Sequence, residues 1–191
     1  MSALRNTNSD SSARMKRSFQ IRFAINPFSS SRDAAKREMP LFFIQSVASP
    51  SYCLTAESSS SGTYKDKQQV LLSPCNSDSR DQLFAYDPTS SYVHPAGKLK
   101  VCVDFDTAHD GDLLRVFGCD RYFRRYQTWK FYNNSVMLNE KSRKCLQKAG
   151  EASLEQRPCL EKKSWFEKQQ HWSWVPKEDY PGLSNGRMWV W

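Results

Sequence analysis

The chain has 191 residues, 39% of them hydrophobic and 13% aromatic, with a formal net charge of +8. That length suits one domain with tails and a core that needs no metal to fold, and the aromatic share excludes wholesale disorder. No run approaches the ~20 apolar residues of a membrane-spanning helix, so no membrane span is expected.

The charge is concentrated at the start. Residues 1–40 hold eight basic residues (Arg5, Arg14, Lys16, Arg17, Arg22, Arg32, Lys36 and Arg37) against Asp10, Asp33 and Glu38, and neither Cys nor Trp. Residues 1–39 therefore read as a disordered basic arm. The apolar segment Met39–Ile44 is too short for a secretory core of 7–15 residues and ends at Gln45. An Arg- and Ser-rich, acid-poor composition also matches a mitochondrial transit peptide; a linker or a misread start is the preferred reading. No aromatic residues follow the charge in a groove-like pattern, which speaks against nucleic acid as the partner.

After the arm come six cysteines, none in a Cys-x-x-Cys pair, which speaks against zinc-ribbon or thioredoxin chemistry. Cys53-Leu54, Cys102-Val103 and Cys145-Leu146 are each a cysteine followed by an aliphatic residue. Pro74-Cys75, Gly118-Cys119 and Pro158-Cys159 each place a cysteine after a turn residue. The two types alternate, so the pairs 53–75, 102–119 and 145–159 each close a loop within one unit. A third landmark follows every closing cysteine: Gln82-Leu-Phe84, Gln127-Thr-Trp129 and Gln170-His-Trp172. The glutamines are 45 and 43 residues apart and the closing cysteines 44 and 40.

Three units are too few for a propeller. Within them, Gln69–Leu72, Lys98–Val101 and Leu113–Phe117 are short alternating runs broken by Asp, Gly, Pro and Asn, the texture of strands and turns. Three such units close on themselves as a threefold barrel capped by hairpins, which removes free sheet edges.

The pattern of an opening Cys-[Leu/Val], a closing [Pro/Gly]-Cys and Gln-x-[Trp/Phe], three times over, resembles the ricin-type β-trefoil lectin domain. It is similar to plant-toxin B-chain lectin domains and to the cysteine-rich domain of mannose-receptor-type proteins. The resemblance covers roughly residues 41–175. It implies an all-β fold: a β-trefoil over residues 40–176 with pseudo-threefold symmetry, one disulfide per repeat, and residues 177–191 as a tail. It also implies a lectin module that binds a glycan or glycoprotein without catalysis and without a metal or cofactor. Phe84, Trp129 and Trp172 are then structural anchors, each burying ~150–250 Å².

In this family a carboxylate sits two residues after the opening cysteine and a stacking ring two residues before the closing one, with an amide residue just ahead of the motif glutamine. Repeat one offers Thr55, Ser73 and Asp81 at these places, and repeat three Gln147, Arg157 and Gln169. Only repeat two has both elements, Asp104 and Phe117. The resemblance thus assigns hydroxyl acceptance to Asp104, braced by Gln127, stacking to Phe117, and secondary donation to Arg115 and Tyr126. Tyr126 departs from the usual amide. Asp104 opens the polar stretch Asp104–Asp112, which has neither the spacing nor the final Glu of an EF-hand loop. Arg121, Arg124 and Arg125, interleaved with Tyr122 and Phe123, form a candidate surface for sulfated or other anionic glycans. Galactose-type and sulfated glycans are both expected ligands.

His94, His109 and His171 form no spaced ligand set, and no hydrolase, nucleotide or dinucleotide motif occurs, so no enzyme is expected. Cysteine pairing and the sequon Asn133-Asn-Ser135 favour an extracellular or secretory setting; a cytosolic protein with reduced cysteines is the alternative, since no signal peptide is visible. At the other end, Pro176–Gly182 reads as a linker, and Met188, Trp189 and Trp191 as a terminus that docks as a strand or forms a sticky patch. The competing reading is a protein-interaction or scaffold trefoil whose sugar sites have decayed.

Overall fold

Each unit alternates inward apolar and outward polar residues over four to six positions, too few for a helix, and these runs become strands. The computed structural model describes residues 39–59, 61–120, 122, 126–132, 135–161 and 167–180. Repeat one comprises β1 (Leu41–Ser46), β2 (Tyr52–Thr55), β3 (Gln68–Gln69), β4 (Leu71–Pro74) and β5 (Leu83–Asp87). Repeat two comprises β6 (Tyr92–Pro95), β7 (Val101–Phe105), β8 (Leu114–Gly118) and β9 (Trp129–Tyr132). Repeat three comprises β10 (Val136–Asn139), β11 (Lys144–Ala149), β12 (Ser153–Arg157) and β13 (Trp172–Pro176). The basic arm up to residue 38, the sequon asparagines, Arg121, Arg124, Arg125 and the tail from residue 181 lie outside the described residues.

Antiparallel pairing runs β13–β1–β5–β6 and β9–β10. Bridges Tyr92↔Thr128 and Val136↔His171 join these into a closed ring. The hairpins β2–β4, β7–β8 and β11–β12 cap it, one per repeat. This is the β-trefoil, with the three expected disulfides Cys53–Cys75, Cys102–Cys119 and Cys145–Cys159 in place.

The core repeats threefold. Leu54, Val103 and Leu146, the aliphatic residues after the opening cysteines, are fully buried with Ile44, Val93 and Met137 of the barrel. Phe84, Trp129 and Trp172 are buried as anchors. Trp129 Nε1 donates to Val103 O and Trp172 Nε1 to Leu146 O, both at 3.1 Å. Phe84 has no N–H to make the matching bond. A second set of rings follows two residues later: Tyr86, Phe131 and Trp174 flank the core, with Phe131 edge-on to both neighbours at 4.8 and 4.6 Å.

Two local features differ from the expectations. Lys98–Lys100 is a turn rather than the start of a strand, because Gly97 (φ 72°) reverses the chain and Lys98 N bonds Pro95 O. Packing also continues past Pro176: Tyr180 is buried over Phe43, ring centroids 4.2 Å apart.

Candidate carbohydrate-binding site

The motif glutamines act as identical clamps. In repeat two, Gln127 Nε2 donates to Asp104 Oδ2 (2.9 Å) and Gly118 O (3.1 Å), while its Oε1 accepts from Asp120 N (2.8 Å). Gln82 makes the same three bonds to Thr55 Oγ1, Pro74 O and Asn76 N at 3.0, 2.9 and 2.7 Å. Gln170 makes them to Gln147 Oε1, Pro158 O and Leu160 N at 2.9, 2.9 and 2.8 Å. Each clamp ties the residue two after the opening cysteine to both sides of the closing one. The position assigned to sugar hydroxyls is thus held the same way in all three repeats, and only in repeat two is it a carboxylate.

The other assigned residues gather around Asp104. Arg115 is its cross-strand partner in the β7–β8 ladder, and its Nη1 donates to Lys67 O at 2.8 Å. Tyr126 bridges Phe105, its carbonyl accepts from Asn139 Nδ2 (2.7 Å), and Lys141 Nζ lies 4.7 Å from its ring centroid. Repeat one supplies a rim: β3 pairs with β8, and Asp66 Oδ1 accepts from Gly118 N. Asp104 and Phe117 are both buried, at 0% and 1% exposure. Phe117 accordingly presents no ring face to solvent in this conformation, whereas its counterparts Ser73 and Arg157 are part-exposed.

The acidic loop is organised rather than merely solvated. Gln156 of β12, fully buried, donates from Nε2 to Thr107 O (2.8 Å), His109 O (2.9 Å) and Asp112 Oδ2 (3.2 Å). Its own backbone bonds Gly111 and Asp112. The counterparts of Gln156 three residues before the other closing cysteines are Leu72 and Val116, both core residues. A polar residue at that apolar place was the available signal in the sequence. Lys144 Nζ adds Asp110 Oδ1 at 2.5 Å.

Among the described residues, one group brings metal-ligating atoms together: His94 Nδ1 stands 3.7 Å from both sulfurs of Cys102–Cys119. Those sulfurs are bonded to each other, and Nδ1–H donates to Val101 O at 2.9 Å. Burial holds the imidazole below its usual pKa range, opposed by the bond to Val101.

Comparison with known proteins agrees with this architecture. The ricin-type beta-trefoil lectin domain family model matches residues 41–172, and the chain belongs to that family. No curated protein sequence matches it. Among solved structures it is similar to the β-trefoil lectin of the Vibrio vulnificus hemolysin/cytolysin, solved with N-acetyl-D-lactosamine bound (16% identity, TM-score 0.55, 73% of this chain and 96% of that one). It is also similar to a non-toxic homologue of type II RIPs from Momordica charantia in complex with α-methyl-D-galactoside (18% identity, TM-score 0.54, 71% of this chain and 47% of that one). The agglutinin from Abrus precatorius is a third (16% identity, TM-score 0.57, 78% and 51%). At these identities the likeness is one of fold, and this chain spans about half of the latter two.

Proposed function

We propose that the domain is a non-catalytic carbohydrate-binding module with its working site in repeat two. The observation that carries this reading is the bond from Gln127 to Asp104. It leaves an oriented carboxylate where the other repeats have Thr55 and Gln147, and a carboxylate accepts from two neighbouring sugar hydroxyls at once. Because Asp104 and Phe117 are buried, the ligand enters only as neighbouring side chains withdraw. Galactose-type and sulfated glycans are the ligand classes to test. Three disulfides suit a secreted or extracellular protein.

The burial of Phe117 favours a second reading, a protein-interaction trefoil with degenerate sugar sites. A glycan array on the full chain, with neutral, sialylated and sulfated sugars at low and high salt, separates the two. Salt-resistant binding that falls at least about tenfold in Asp104→Gln is the expected result. Gln147 already occupies the matching place in repeat three, so that variant should fold. Salt-sensitive binding retained in Asp104→Gln would move the site to Arg121, Arg124 and Arg125. No binding by the folded, oxidised protein would overturn the sugar reading in favour of the protein-interaction one.

A further inference from the structure

The threefold repetition allows each place in one repeat to be compared with its counterparts. Phe43, Tyr92 and Val136 are such a set, because each pairs across the barrel with the middle residue of a Gln-x-aromatic motif: Leu83, Thr128 and His171. All three point away from the core, behind the disulfide of their repeat. In repeat one the space is filled by the Phe43 ring with Tyr180 laid over it. In repeat two it is filled by Tyr92, whose hydroxyl donates to Asp120 O, the carbonyl just after the closing cysteine, at 2.6 Å. In repeat three the residue is Val136, and among the described residues a cavity of about 400 Å³ takes the place of the ring.

The cavity has a built character. Val136, Leu138 and the Cys145–Cys159 disulfide make its apolar wall. Leu160, which occupies the place of Asp120, closes one side, and its backbone is fixed by the bond from its N–H to Gln170 Oε1. Tyr132, 48% exposed, stands at the margin. Arg143 contributes the guanidinium, while Glu167 is engaged by His171 Nε2 at 3.3 Å. The volume lies in the range of small-molecule sites, ~300–1,000 Å³.

We propose that this cavity binds a small phenolic acid. The ring of the ligand replaces the ring that Tyr92 supplies in repeat two, and its hydroxyl donates to Leu160 O as Tyr92 donates to Asp120 O. Its carboxylate pairs with Arg143. The inference is independent of the sugar reading, because the cavity lies behind the disulfide and shares no residue with Asp104 and its neighbours.

The test is calorimetric titration of the full chain with 4-hydroxyphenylacetate, with phenylacetate and tyrosol as probes lacking the hydroxyl or the carboxylate. Saturable one-to-one binding is expected, about tenfold weaker for tyrosol. Val136→Tyr, which builds the plug of repeat two into repeat three, should abolish binding while the thermal midpoint and glycan profile persist. Arg143→Gln should weaken 4-hydroxyphenylacetate about tenfold and leave tyrosol unchanged, a readout that stands even if Val136→Tyr fails to fold. Absence of saturable binding up to the solubility of the probe would overturn the proposal, as would undiminished binding in a folded Val136→Tyr or in Arg143→Gln.

Discussion

Gln45, His94 and Leu138 take the same place in successive repeats, each set against its disulfide, and only the middle one titrates. Burial lowers the pKa of His94 in the folded state from the ordinary 6.5, so acid favours the unfolded chain, which binds the proton more readily. The stability this residue contributes is complete above about pH 6.5 and is lost as pH falls through its lower folded value. Urea midpoints measured from pH 8 to 5 should decline on the acid side, and His94→Gln, which copies Gln45, should flatten that decline. An unchanged slope in the variant would assign the effect to other groups. The disulfide behind His94 could be inferred from the alternation of cysteine neighbours, but the histidine's position could not, because it sits eight residues upstream on another strand. Asp104 and Gln127 were legible through the family resemblance, which sets their places relative to the cysteines, and the expected hydrogen bond between them is present. Phe117 was legible as a residue that either stacks on a sugar or is simply buried, and it is buried: β8 buries Val116 and Phe117 in succession, breaking the alternation that a strand would otherwise show.

The hairpin β11–β12 does more than cap its own repeat. Through Gln156 it holds the β7–β8 loop of the neighbouring repeat by three donated bonds, one of them to a carboxylate. Replacing Gln156 with leucine, the residue at its counterpart Leu72, should leave the barrel folded and release the loop. Hydrogen exchange at Gly111, whose N–H bonds Gln156 O, should then accelerate, with a global stability loss of about 1–3 kcal/mol. Loss of the whole fold would show that the loop is part of the cooperative core. The plan of a barrel capped by hairpins and the anchoring rings were readable from the repeated motif because each repeat restates the same pattern; the strand limits were not, as Lys98–Lys100 shows. The aromatic set Tyr86, Phe131 and Trp174 was equally regular, four residues after each motif glutamine, and packs beside the core as that regularity requires. Contacts between repeats, such as Gln156 to the acidic loop, are long-range, and their one trace in the sequence is a glutamine where the other repeats have Leu72 and Val116.

Across the whole molecule, the three bridges span 22, 17 and 14 residues. Loop-closure entropy assigns each of them about 3 kcal/mol, so together they rival the ~5–15 kcal/mol net stability of a typical domain. Reduction should therefore abolish the cooperative thermal transition seen by circular dichroism. A midpoint lowered by only a few degrees would mean that the barrel core suffices alone. The ring itself is joined by β1 against β13, with Phe42 opposite Pro176. The first and last strands of the barrel are thus ordinary neighbours, a few ångströms apart. Chain order is consequently not part of the architecture. A circular permutant that joins the segments flanking this pair, and opens instead at the turn between Asp87 and Tyr92, would present the same strands to the same partners with repeat two as its beginning.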